Sequence, residues 1–177
     1  QYAASFGGVN SIRFHDQGVD VEPIEISNDL RSTMSKRFTL VFTGMTRSAS
    51  KVLAQESEDE IDKIKRLNEI RNHADLASEM INKGDFDSLG NLLNDTWLAK
   101  RGTSSKVSNS SIDELHELIM SLGAKGAKLL GAGNGGFFLV YGRDDLREKM
   151  ISSFGKRLRM FPLELDLVGS TIIHNTS

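Results

Sequence analysis

From residue 131 to 136 the chain reads Gly-Ala-Gly-Asn-Gly-Gly, and the next five residues, Phe137-Phe138-Leu139-Val140-Tyr141, all favour strands. That order constrains the fold more than any other feature. Gly131, Gly133 and Gly136 formally satisfy G-x-G-x-x-G, but the dinucleotide-binding version opens a helix whose N-terminus holds the pyrophosphate. A strand follows here, so the Rossmann reading fails. No Lys-Ser or Lys-Thr pair closes the loop, so a P-loop fails as well. What is left is a connection between two strands, almost free of side chains, that can take positive φ and approach another backbone or a ligand closely. The residues alone leave two readings open. Successive N–H groups of Gly131, Ala132, Gly133, Asn134, Gly135 and Gly136 can form an anion-binding nest, or the loop is a tight strand connection and nothing more.

A chain of 177 residues is one generous domain, or one domain with a piece of another. Hydrophobic residues at 38% are enough for a packed core, which argues against global disorder. Lys plus Arg number 22 against 24 Asp plus Glu, so a net charge of −2 gives no overall pull toward nucleic acid or an anionic membrane. The absence of cysteine removes disulfide scaffolds, thiolate nucleophiles, Cys-zinc sites and iron–sulfur clusters. No apolar run approaches the roughly 18 residues of a membrane-spanning helix. Gln1 is not an initiator Met, and residues 1–8 carry neither a basic nor an apolar leader region. The expectation is a soluble cytoplasmic fragment that starts inside something larger.

Residues 1–30 read as strand and turn, with Gly7-Gly8 as a turn and short alternating runs around Pro23. Asn28–Lys36 is polar and reads as a connection; Arg37–Thr43 reads as a buried strand ended by Gly44. Ile61, Ile64, Leu67, Ile70, Ala74, Ala77 and Met80 predict a long amphipathic helix closed by Gly84. Asp85 starts a shorter helix with Phe86, Leu89, Leu92, Leu93 and Trp97 on one side. After a polar loop, Ser110 or Ser111 caps a third helix with Ile112, Leu115, Ile119 and Leu122 as its stripe. The piece from Ala127 to Leu130 and the run after the glycines read as strands. Asp144 and Asp145 open a helix through Phe154, and Phe161–Leu167 alternates as a last strand. Strands and helices out of strict alternation favour a layered α+β domain.

Several of these segments together carry a family resemblance. Lys128-Leu129-Leu130-Gly131-Ala132-Gly133-Asn134-Gly135-Gly136-Phe137 resembles the third motif of the GHMP small-molecule kinases. Gln1-Tyr2-Ala3-Ala4-Ser5-Phe6-Gly7-Gly8 resembles the segment that follows the family's catalytic aspartate. Thr46-Arg47-Ser48-Ala49-Ser50, Asn94-Asp95-Thr96-Trp97 and Lys106-Val107-Ser108-Asn109 point to the D-glycero-D-manno-heptose 7-phosphate kinase branch. The resemblance spans essentially the whole chain. It implies ATP-dependent phosphorylation of a sugar hydroxyl, here the anomeric one of a heptose 7-phosphate, with ATP and Mg2+ as cofactors of the complete enzyme. It also implies that the Ser-rich ATP loop and the aspartate lie before Gln1, so no catalytic residue is expected in this chain and the chain by itself is expected to be inactive and to hold neither cofactor. The implied fold is α+β, a ferredoxin-like layer of antiparallel sheet packed with helices. Residues 1–30 would be the tail end of the N-terminal kinase domain and residues 31–177 the C-terminal domain. Asn134 departs from the Gly or Ala usual at its position, although Asn tolerates left-handed φ better than most residues.

In this reading Gly131 to Gly136 support the ATP phosphates, and Gln1, Tyr2, Arg47, Lys106 and Lys128 are the candidate substrate contacts. A phosphorylated acceptor needs cations, and Arg offers a planar fork; the alternative is a set of solvated surface cations, favoured for Lys106. The expected partners are a sugar or sugar phosphate and the missing N-terminal domain, with no nucleic acid and no membrane. A homo-oligomer is left open by the apolar patch that the missing domain would expose. Four scattered histidines without cysteine argue against zinc. His73 and His116 are expected on exposed or half-buried helix faces, and Trp97 in the core. A galactokinase- or fucokinase-like enzyme, or a non-catalytic ferredoxin-like binding domain, are the rival readings.

Overall fold

The computed structural model describes residues 1–46 and 60–173. Arg47 and the residues after it in its motif, Ser48, Ala49 and Ser50, and His174 lie outside the described residues. The chain starts with a short helix, α1 (Tyr2–Phe6), which the strand-and-turn expectation for residues 1–30 missed. Gly7 and Gly8, both at φ 68°, turn the chain into a hairpin of β1 (Val9–His15) and β2 (Gly18–Ile24). The hairpin is a sheet of its own, paired from Val9 opposite Ile24 to His15 opposite Gly18, with Pro23 opposite Asn10.

Asn28–Lys36, expected to be a connection, is instead a helix, α2 (Asn28–Arg37). Ser27 caps it by accepting a hydrogen bond from the Leu30 amide at 3.2 Å, and Asp29 and Lys36-Arg37 suit its two poles. Its apolar content is little more than Leu30 and Met34, one turn apart, so its periodicity is weak. Met34 alone is fully buried.

β3 (Phe38–Phe42) then enters the centre of a four-stranded sheet of order β4-β5-β3-β6, where β4 is Gly126–Leu129, β5 Phe137–Tyr141 and β6 Met160–Pro162. All its pairings are antiparallel, with Phe38 opposite Tyr141, Val41 opposite Phe138 and Met160, and Leu129 opposite Phe138. Helices α3 (Glu60–Lys83), α4 (Phe86–Arg101) and α5 (Ser110–Ser121) connect β3 to β4, and α6 (Leu146–Phe154) with a 3-10 turn connects β5 to β6. Strand–helix–strand–strand–helix–strand in this sheet order is the ferredoxin-like arrangement. The α+β expectation is met.

Alternation along the strands divides the core in two. Val41, Ala127, Leu129, Phe138 and Val140 face Trp97 of α4, Ile112 and Ile119 of α5, and Met150 of α6. Phe38 and Tyr141 face the other way, with Met34, Phe86 and Leu89. Several expectations are corrected here. The last strand is short because β3 begins at Phe38 and offers no partner past Leu163; Leu163 and Leu165 still pack on the second cluster, while Phe161 stays exposed. The cap of α5 is Asn109, whose side chain accepts from the Ile112 amide, rather than Ser110 or Ser111. His116 is buried rather than half-exposed, hydrogen-bonded to Asn94 Oδ1 at 3.0 Å and set between the Trp97 and Phe138 rings. Finally, the stripe of α3 is covered only toward its C-terminus: Ala77, Met80 and Ile81 pack on the second cluster, whereas Ile61 is 78% exposed and Ile64 and Leu67 about half so. No helix among the described residues is long and apolar enough to cross a membrane.

Candidate functional site

The glycine loop closes the β4–β5 hairpin, sealed by the Leu130 amide donating to Phe137 O at 2.8 Å. Gly131, Gly133, Gly135 and Gly136 all have positive φ, and Asn134, at 57°, is the one non-glycine residue described that does. The Asn departure from the motif therefore sits in the conformation Asn accepts most readily. Two neighbouring segments hold the loop. On one side the Asn134 amide donates to Val107 O at 2.8 Å, and Asn109 Nδ2 donates to Asn134 Oδ1. On the other, the Gly136 amide donates to Met45 O at 2.8 Å, and Gly136 O accepts from the Thr43 amide and hydroxyl, both at 2.9 Å.

This geometry bears on both readings of the loop. A Cβ on Gly133 would lie 2.6 Å from Val107 O, and one on Gly135 2.8 Å from Met45 O, so those glycines serve close backbone approach. The amides of Asn134 and Gly136 are already engaged. Around Gly131, at φ 73°, a Cβ would meet open space. Gly131 is exposed and Ala132 half-exposed, whereas Gly133 is buried against Val107, so a ligand would meet the loop at its Gly131–Ala132 end, the outward half.

Two lysines frame that half. Lys100, in the last turn of α4, donates from Nζ to Gly131 O. Lys128 projects from β4 on the side opposite Ala127 and Leu129, and lines a cleft of about 300 Å³ with His73, Thr96, Leu92 and Ile70, whose far wall is Val9 and Asn10 of the hairpin. Burial holds the Lys128 ammonium below its ordinary pKa. Burial and the neighbouring Lys128 charge push Lys100 down to about 8. Across the cleft His73 Nδ1 lies 2.9 Å from Thr96 Oγ1, which in turn donates to Leu92 O.

Of the residues singled out by sequence, Gly131 to Gly136 and Lys128 are thus assembled at one place. Lys106 sits in the neighbouring α4–α5 loop, next to the Val107 that grips Asn134. Arg47 is outside the described residues, although Met45, two positions earlier, touches the loop. Gln1 and Tyr2 lie at the exposed start of α1, the Tyr2 ring edge-on to Phe14 at 5.6 Å. Lys100 was missed. In sequence it is only a cation suited to a helix C-terminus, and the signal that marks it, its approach to Gly131, is tertiary. Among the described residues no three His, Asp or Glu side chains converge on a metal position.

Comparison with known proteins gives this arrangement a class. Residues 74–159 match the family described as GHMP kinases C terminal, which takes in α4, α5, the glycine loop and both lysines. This region is a GHMP kinase C-terminal domain. Over 144 residues, 80% of its length, the chain is 32% identical to D-glycero-alpha-D-manno-heptose 7-phosphate kinase of Campylobacter jejuni. Over 156 residues, 84% of the chain, it is 30% identical to the bifunctional fucokinase/GDP-fucose pyrophosphorylase of Arabidopsis thaliana. The chain spans 42% of the first relative and 14% of the second. The fold is shared with the crystal structure of a D-glycero-D-manno-heptose 1-phosphate kinase from Bacteroides thetaiotaomicron, at a TM-score of 0.67 and 20% identity, covering 96% of this chain and 46% of that one.

Proposed function

We propose that the chain is the C-terminal part of an ATP- and Mg2+-dependent kinase that phosphorylates a sugar hydroxyl, the anomeric position of D-glycero-D-manno-heptose 7-phosphate. The observation that carries this reading is the 32% identity across 80% of the chain to an enzyme of that name, joined to a glycine loop whose outward half is lined by cations. Phosphoryl transfer depends on positioning and on charge stabilisation at the transferring oxygens, mainly by backbone donors and metal. In this chain the Gly131–Ala132 backbone and Lys128 supply donors and charge, while Val107, Asn109 and Met45 hold the loop in shape. Lys106, in the segment beside the same loop, and Arg47 are the contacts assigned to the acceptor phosphate, and Gln1 and Tyr2 those assigned to the acceptor from α1. Mg2+ neutralises the phosphate oxygens when bound; no described residue here is assigned to it.

The reading divides the chain at about residue 30. The hairpin's independence from the main sheet supports assigning residues 1–30 to the N-terminal kinase domain. The exposed Ile64 and Leu67 of α3 support a partner domain against that helix. A fucokinase-like acceptor is the second reading, favoured by the 30% identity to the Arabidopsis enzyme.

The test is an assay of the full-length gene product with ATP and Mg2+, offering heptose 7-phosphate, fucose and galactose in competition and locating the new phosphate by mass and NMR. Phosphate on the anomeric oxygen of the heptose is expected. Exclusive labelling of fucose or galactose would replace the acceptor, and no turnover with any of them would overturn the reading.

A further inference from the structure

We infer that the cleft between the hairpin, α3, α4 and β4 binds a medium-chain monocarboxylate, its carboxylate on Lys128 and its hydrocarbon tail along the aliphatic walls. None of the residues lining this cleft belongs to the glycine loop, and the site stands without the kinase reading.

Nine of the fourteen lining residues are aliphatic, among them Ile24 of the hairpin, Ile70 of α3 and Leu92 and Leu93 of α4. Most of the polar remainder is engaged within the protein. Thr96 Oγ1 gives its hydrogen to Leu92 O at 2.6 Å and so accepts from His73 Nδ1 at 2.9 Å, and Asn10 Nδ2 donates to Gly7 O at 2.7 Å. Lys128 is different. It is the one Lys, Arg, Asp or Glu among the lining residues, and no hydrogen bond or ion pair from the described residues reaches its ammonium. Other lysines of the domain have counter-ions, Lys125 in Asp87 and Lys149 in Asp145.

A cation walled by hydrocarbon is costly until an anion joins it, and burial already disfavours the charged form of Lys128. One ammonium balances one negative charge. A monocarboxylate meets that condition, whereas a dianion would carry its second charge unpaired against the aliphatic walls. The volume of about 300 Å³ is at the small end for ligand cavities. At ~30 Å³ for a water-sized group it takes about ten non-hydrogen atoms, the size of octanoate. The Lys128 side chain enters the cleft while its strand runs on into the glycine loop, so a bound carboxylate neutralises the charge that the kinase reading has Lys128 lend to the loop.

The experiment is calorimetric titration of the full-length gene product with octanoate below its micelle concentration. It runs beside octanamide, the neutral isostere, and suberate, the dicarboxylate of the same chain length. One octanoate per chain is expected, with octanamide and suberate each weaker by roughly tenfold or more. In Lys128→Met the preference for octanoate over octanamide should vanish while octanamide still binds. In Ala74→Phe, which fills the exposed mouth of the cleft, both should be lost. The exposed Lys156→Met should bind as the parent protein does. The assignment is overturned by no octanoate binding, by octanamide or suberate binding as tightly as octanoate, by a preference that survives Lys128→Met, by binding unaffected in Ala74→Phe, or by equal weakening in Lys156→Met. The ranking of the three ligands by the parent protein decides even where a variant does not fold. A full-length protein without kinase activity would remove the kinase reading and leave the octanoate result standing.

Discussion

At the scale of single residues, the glycine loop separates two constraints that sequence reading treats as one. Gly131 and Gly133 both have positive φ, but only Gly133 also faces a wall, the carbonyl of Val107. Gly131→Ala is expected to cost about 1 kcal/mol, the left-handed penalty alone. Gly133→Ala adds a clash to that penalty and should cost clearly more, about 2 kcal/mol or above. Urea midpoints of the two variants check the difference; equal midpoints would show that Val107 yields. Lys100 gives a second prediction, with a defined sign. Its folded pKa of about 8 lies below the ordinary 10.5, so the unfolded chain binds the extra proton between those values. The destabilisation is complete below about pH 8 and is relieved as pH rises toward 10.5. The stability gained by the wild-type chain over that window should shrink in Lys100→Met, as read from Tm against pH; an unchanged slope would mean Lys100 is not desolvated.

At the scale of elements, legibility followed the strength of the local signal. The segments over β3, β5 and α4 carry dense apolar patterns, and each forms the element its residues predict. α2 carries only Leu30 and Met34, and its polar helix is held largely by tertiary contacts. Chief among these is Arg147 of α6. Its Nη2 donates to Ser35 O, Lys36 O and Phe38 O, and its Nε to Thr39 Oγ1 at 3.0 Å, satisfying the carbonyls at the α2–β3 junction. No sequence pattern announces a guanidinium serving backbone more than 100 positions away. Arg147→Met should cost about 2 kcal/mol through those unpaired acceptors, and Arg147→Lys should recover little, because an ammonium lacks the fork. Denaturation midpoints decide both; full recovery by Lys would deny the fork its role. Of the alternation through Phe161–Leu167 only Leu163 and Leu165 pack, and the strand itself ends at Pro162, because a strand needs a partner as well as a pattern. Of the site, the loop and Lys128 were legible from the motif. Lys100 was not, since its role depends on where α4 ends relative to β4.

At the scale of the whole molecule, the first and last described segments are clasped. The Gly8 amide donates to Asp166 O at 2.6 Å, and the Ser170 amide to Ser5 O at 3.0 Å. Gly7 and Gly169 face each other so closely that a Cβ on Gly169 would lie 2.6 Å from Gly7 N. Gly169→Ala, at φ 68°, should therefore release α1 while leaving the main sheet intact. Hydrogen exchange is the readout: the Gly8 amide is expected to lose protection while the Val41 and Phe138 amides keep theirs. Loss of protection in all three would mean the clasp supports the whole fold.

The central position of β3 has a consequence for how the chain is made. β3 is an apolar strand with a neighbour on each side, and both neighbours, β5 and β6, come later in the chain. On a ribosome, Phe38–Phe42 emerges with neither edge filled and waits until Phe137–Tyr141 follows. At about 5–20 residues per second that delay is roughly 5–20 s. During it the strand most important to the finished sheet is the one most open to pairing with another nascent chain, so slow translation between α3 and β4 should lower the yield of this protein more than a pause at any later point.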